Sequence, residues 1–194
     1  MNHLAHLFLA GRSHESLLGN LSGDFVKGSV DGKFSDGVRA GIMEHRRVDA
    51  FTDTHPDVAA IRRIIAVDHG HYSRVIGDIF FDHFLACEWN TYAKESLPAF
   101  LRRTYSALDP WVDSMPGRLR FVYPIMRDEG WLPSYATIDG IWITLFNVSR
   151  RFSRQPRLEL ATPLLIHARA EILHHFSQFM PDVIRFAKGL RSES

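Results

Sequence analysis

Apolar residues recur at steps of three and four along most of the chain, the period of a helix with one buried face. One such stripe runs through Val75, Ile76, Ile79, Phe80, His83, Phe84 and Cys87, and a second through Leu97, Phe100, Leu101, Thr104, Tyr105 and Leu108. A third runs through Leu164, Leu165, Ala168, Ile172, His175, Phe176 and Phe179. Ser96 precedes the second stripe and Pro98 falls in its first turn, which is the pattern of a capped helix start. Strict two-residue alternation is missing, and no Asn-Gly or Asp-Gly pair sits between β-branched runs, so hairpins are not expected. Gly, Pro and Asp cluster at Gly28 to Gly37, Thr54 to Asp57, Leu108 to Pro110, Ser114 to Gly117, Glu129 to Pro133 and Arg154 to Arg157. These breaks are short, so they join packed helices and do not separate domains. The expectation is an all-α, single-domain helical bundle over residues 1–190, with a frayed tail at 191–194.

Composition changes this picture little. The 194 residues are 45% hydrophobic and 23% charged with a net charge of +1, ordinary for a globular domain. No global field favours nucleic acid or an anionic membrane, so neither is expected as a partner. The distribution of charge says more. Residues 1–83 carry 9 basic and 11 acidic groups and 8 of the 11 histidines, while residues 84–194 carry 14 basic and 11 acidic groups. Acid and imidazole therefore gather in the first half and arginine in the second. Cys87 is the one cysteine and lies in an apolar stripe; a small buried residue in a reducing compartment is the expectation. The apolar start Met1 to Ala10 lacks a basic segment and carries two histidines, unlike a signal peptide. No apolar run reaches the ~18 residues of a membrane span, so a cytoplasmic protein is expected.

The chemistry lies in acids and histidines at helical spacing. His45 and Asp49 share a face at i, i+4, as do Asp78 and Asp82, with His83 adjacent. The first pair reads as a metal site or as a surface helix salt-bridged to Arg46 and Arg47. The second pair sits in Val75 to Leu85, a segment apolar nearly all round, where carboxylates need a cation: an arginine, a protonated His83 or a metal. Asp24 reads either as a carboxylate turned into the bundle or as a surface acid. His3 and His6 read as core histidines, His55 as a turn residue, and His69, His71, His174 and His175 as weaker ligand candidates. A Gly-rich phosphate loop, a Gly-x-Ser-x-Gly elbow, paired cysteines and His-Glu-x-x-His are all missing from the chain. A carboxylate and imidazole set suits Mn²⁺ or Mg²⁺.

Several motifs in order then resemble one family. They are Asn2-x-Leu4-Ala5-His6-Leu7-x-Leu9-Ala10, Gly19-Asn20, Asp24-Phe25-Val26-x-Gly28, Gly41-Ile42-x-x-His45-Arg46-Arg47-x-Asp49-x-x-Thr52-Asp53, and Asp82-His83-Phe84-Leu85 with Trp89. Together they look like acyl carrier protein phosphodiesterase. The resemblance is densest in the first 90 residues and continues thinly through Ser149-Arg150-Arg151 and Pro156-Arg157-Leu158. It implies a fold related to HD-type phosphohydrolases, although the adjacent His-Asp pair of that superfamily is reversed here as Asp82-His83. It implies hydrolysis of the phosphodiester between 4′-phosphopantetheine and a serine of holo acyl carrier protein, with a divalent cation, foremost Mn²⁺. It brings His6 and Asp24 into the site.

The expected arrangement is a metal held by Asp24, His45, Asp82 and His83, with Asp49, Asp78 or His6 as base and Arg46 on the phosphate oxygens. Between Arg118 and Arg157 there are 7 arginines, no lysines and 3 acids. Arg150, Arg151, Arg154 and Arg157 form the expected docking face for an acidic carrier protein. Two other readings use the same residues: a phosphohydrolase of nucleotides or small phosphate esters, and a non-enzymatic helical module with salt-bridged buried acids.

Overall fold

A computed structural model describes residues 1–192. Its α-helices are α1 (His3–Leu9), α2 (His14–Ser22), α3 (Asp36–Thr54), α4 (Pro56–His69), α5 (Ser73–Cys87) and α6 (Trp89–Tyr92). They continue as α7 (Leu97–Leu108), α8 (Leu119–Asp128), α9 (Trp131–Ser134), α10 (Ile138–Ser149), α11 (Leu164–His167) and α12 (Arg169–Ser192). Among the described residues there is no strand, and none of their helices is long and apolar enough to cross a membrane. The all-α, single-domain expectation holds.

Local signals set the helix starts. Ser96 accepts a hydrogen bond from the Ala99 amide at the head of α7, with Pro98 in its first turn. Ser13, Ser35 and Thr137 cap α2, α3 and α10 in the same way. His55 ends α3 and caps α4 through its own ring. Gly130, in the left-handed conformation at φ 66, closes α8 and turns the chain into α9.

The centre of the bundle is α5. Ile76, Ile79, Phe80, Phe81, Phe84 and Leu85 are buried, and α1, α4, α10 and α12 pack around them. The rings of Phe81 and Phe84 meet Phe176 of α12, and Phe81 also meets Phe179. Cys87 differs from the expectation. At the last position of α5 the apolar stripe runs out of partners, and Cys87 is exposed. The third stripe is also divided, since Ala168 interrupts it between α11 and α12. Arg191, placed in the expected tail, lies within α12 and bonds the Glu44 carboxylate at 2.6 Å and the Leu9 carbonyl. Residues 193–194 of the expected tail lie outside the described residues.

The first helix depends on α5. A seven-residue helix is too short to persist alone, and its first amides lack intrahelical partners. Asn2, at the cap position, makes no side-chain bond to them. Asp82 of α5 does, accepting the Leu4 and Ala5 amides with one oxygen each, both at 2.9 Å, at a site with no solvent exposure. Burial pushes the Asp82 carboxyl up to about 7, against the pull of those two amides.

This makes a stability prediction. Asp82→Ala leaves two buried amides unsatisfied and should cost roughly 2–5 kcal/mol. Urea denaturation should show a lowered midpoint, with Asp82→Asn losing less because its amide oxygen still accepts. An unchanged midpoint in the alanine variant would remove Asp82 from this role.

Candidate metal centre

The site starts where α2 crosses α3 with backbone nearly on backbone. A Cβ on Gly19 would lie 2.4 Å from the Val38 carbonyl oxygen, and one on Gly41 2.9 Å from Gly19 Cα. Only glycine at both positions permits the approach. One turn further along α2, a Cβ on Gly23 would fall 2.2 Å from the His45 ring. The ring occupies that space and its Nδ1 donates to the Asn20 carbonyl at 2.9 Å. That bond leaves Nε2 facing the acids.

Four side chains meet at this point. His45 Nε2 lies 3.4 Å from Asp24 Oδ1 and 3.4 Å from Asp49 Oδ2. His6 of α1 approaches from the other side, with Nε2 3.1 Å from Asp49 Oδ1. The two imidazoles stack with centroids 3.6 Å apart. Both are buried; Asp49 is one-third exposed and Asp24 about half exposed, so the cluster opens toward solvent through the acids. Ligand atoms of His6, His45 and Asp49 all fall within 4.8 Å of one another. A mixed imidazole and carboxylate set at this spacing fits a divalent transition metal. His6 Nδ1 is buried without a hydrogen-bond partner, so the protein does not meet all the polarity it places here.

Charge is divided unevenly between the rings. Burial opposes protonation of His45, but its bonds to Asp24 and Asp49 outweigh burial and raise it to about 9. His6 goes the other way: burial and the charge on His45 lower it to about 4. Burial would raise both acids, yet the His45 bond takes Asp24 down to about 2 and holds Asp49 well below the carboxylate range. The centre is thus a neutral imidazole stacked on a cationic one, with two carboxylates around them.

The structure assembles only part of the expected set. His6, Asp24, His45 and Asp49 come together. Asp78 borders the cluster: its Oδ1 is 3.4 Å from the Met1 amino group, which also lies 3.0 Å from Asp49, and 3.5 Å from Arg62. Burial raises the Asp78 carboxyl despite those two cations. Asp82 and His83, expected as metal ligands, lie outside this cluster and bond elsewhere. Asp82 spends both oxygens on α1, and His83 turns to the Tyr135 carbonyl at 2.8 Å and to Cys87. Their place on α5 fixes their face, but the neighbours on that face are backbone groups. Arg46 reaches the Val26 carbonyl at 2.9 Å, fastening the turn that carries Asp24, and has no carboxylate partner among the described residues. Arg150, Arg151, Arg154 and Arg157 are all exposed, and only Arg157 has an acid near it, Glu159 at 3.5 Å.

The sequence reading missed what frames the cluster: Asn20 as acceptor for His45 and Gly23 as the space for its ring. Gly19-Asn20 and the glycine before Asp24 were the signals available.

The charge on His45 generates a pH prediction for metal-free protein. Its folded pKa lies above the unfolded value, so its contribution to stability is complete below about pH 6.5 and is lost as pH rises through about 9. The two acids act in the opposite sense, and their share is lost as pH falls below about 4. The stability difference between wild type and His45→Gln, from denaturation in a chelator, should therefore be largest near pH 5–6 and shrink toward pH 9. A constant difference would mean that His45 is neutral.

The profile of the acyl carrier protein phosphodiesterase family matches residues 1–183 of this chain. Among the most similar curated relatives, the acyl carrier protein phosphodiesterase of Serratia proteamaculans is 37% identical, covering 97% of this chain and 98% of its own. That of Photorhabdus laumondii is 35% identical over 97% of this chain and 96% of its own. That of Yersinia pestis is 38% identical over 81% of each. No solved structure matches. A whole-chain profile match and relatives of equal length together place the chain in the acyl carrier protein phosphodiesterase family.

Proposed function

We propose that this protein hydrolyses the phosphodiester joining 4′-phosphopantetheine to a serine of holo acyl carrier protein, releasing apo carrier protein, and that it does so with a divalent cation, foremost Mn²⁺. The observation that carries the reading is the stacked His6 and His45 pair sharing Asp49, in a chain of this family. His6, His45 and Asp49 would hold the ion, with Asp24 beside them. When bound there, a divalent ion supplies Lewis-acid polarisation of a phosphate oxygen and a water of lowered pKa.

The chain's own groups do the remaining work, which in phosphodiester hydrolysis is mostly positioning and charge stabilisation. Asp24 reaches His45 from the exposed side and is the carboxylate best placed to orient an attacking water. Arg46 gives one donor to Val26 and keeps the rest of its guanidinium for the non-bridging oxygens. The Asn20 carbonyl fixes which nitrogen of His45 faces the reacting phosphate. The exposed arginines Arg150 and Arg154 have no acid partner among the described residues and suit an acidic protein substrate.

Two outcomes test this reading. His45→Ala and Asp49→Asn should each lower release of 4′-phosphopantetheine, read by mass spectrometry of the carrier protein, by about a hundredfold or more with the far-UV circular dichroism kept. A chelator should remove the wild-type activity and Mn²⁺ restore it; activity indifferent to both the chelator and His45→Ala would sink the proposal. For the arginines, Arg150→Ala with Arg154→Ala should raise KM for holo carrier protein and flatten its salt dependence, since exposed charges are screened within ~8 Å at physiological ionic strength. An equal salt slope in variant and wild type would assign docking to another face.

A further inference from the structure

Beside the cluster lies a cavity of about 280 Å³, near the lower end of the ~300–1,000 Å³ range of small-molecule sites. Asn2 and His3 at the α1 start line it, together with Trp131 of α9 and Ile143, Asn147 and Val148 of α10. Two contacts tie it to the candidate metal centre. His3 is one helical turn from His6 on α1, and its ring stacks on Phe25, the neighbour of Asp24 in the Gly23–Phe25 turn. The indole of Trp131 is held in place by a 2.8 Å bond to the Glu129 carboxylate.

The cavity carries two kinds of chemistry. Its wall is apolar at Trp131, Ile143 and Val148, with the Asn147 amide and the Thr144 hydroxyl beside them. Arg151 also lines it and forms no ion pair among the described residues, while the Glu129 carboxylate on the same lining is taken up by the Trp131 indole. A guanidinium without an ion-pair partner at the edge of an apolar cavity is a place that an anion would stabilise.

We propose that this cavity receives the pantetheine chain of the prosthetic group, with its phosphate held between Arg151 and the His6, His45 and Asp49 cluster. The inference rests on the reading under Proposed function and adds the recognition element to it. An uncharged chain with two amides and an apolar dimethyl segment matches an apolar wall set with an amide and a hydroxyl. An anionic end matches Arg151. The arrangement makes the prosthetic arm, and not only the protein that carries it, a determinant of specificity.

Titration calorimetry of the full-length protein with pantetheine and with 4′-phosphopantetheine tests this. Wild type should bind both, the phosphorylated form more tightly. Ile143→Trp fills the cavity from a position already 53% exposed, so the core is not strained. It should weaken both ligands by about tenfold or more and raise KM for holo carrier protein. Asn147→Trp, from an adjacent position, should do the same. Arg151→Gln should weaken only the phosphorylated ligand. Unchanged affinity for both ligands in the two tryptophan variants, or no saturable binding of either ligand by wild type, overturns the proposal. The underlying reading is tested separately by release of the prosthetic group by wild type. Normal release with unchanged affinities and KM in the tryptophan variants would sink the cavity alone, whereas no release by wild type would sink the phosphodiesterase reading and leave the titrations to decide the cavity.

Discussion

The N-terminal half of the fold, which carries the candidate site, depends on one buried carboxylate. Asp82 sits at the centre of α5, without solvent exposure, and accepts the first free amides of α1. An ionised group at that depth is costly unless it is hydrogen-bonded, and an unpaired helix start at that depth is costly as well. Each offsets part of the other's penalty, and the helix N-terminus adds its own positive field. The result fixes a seven-residue segment that could not order itself, and with it three features of the site. His6 is delivered to Asp49, His3 to Phe25, and Asn2 to the wall of the neighbouring cavity.

The second constraint is the glycine crossing of α2 and α3. Gly19 and Gly41 let the two backbones touch, and Gly23 leaves a gap that the His45 ring fills. Close approach also brings the Asn20 side chain to the Glu44 carboxylate, whose other oxygen takes Arg191 from the end of α12. The last helix is thereby locked to the one that carries His45 and Asp49. The polar groups here are costly to bury, and the structure accepts that cost to hold two imidazoles in a stack with opposite protonation. A metal would need His45 deprotonated, so binding at this centre is coupled to proton release.

Acid and base are also separated across the molecule. The carboxylates and histidines of the centre come from α1, α3 and the turn after α2, while the exposed arginines without acid partners lie at and beyond the end of α10. His3 from the first group and Arg151 from the second both line the cavity. An anionic group entering the cavity would meet the positive charge of Arg151 there.

The sequence by itself determined the helices and their ends, because those rest on neighbours within a few residues. The stripe from Ile76 to Phe84, the Ser96 cap with Pro98 and the breaks at His55 and Gly130 all stand as the spacing predicts. Its motifs also carried the family, and they carried His6 and Asp24 into the candidate site. Only the tertiary structure decided which of the acids and imidazoles face one another. Asp78, Asp82 and His83 lie within six positions on one helix, yet Asp82 caps a helix 77 and 78 positions away, His83 meets a carbonyl 52 positions away, and Asp78 borders the centre. Helical period fixes the face a side chain occupies, whereas the group opposite that face is set by packing between segments far apart in the chain.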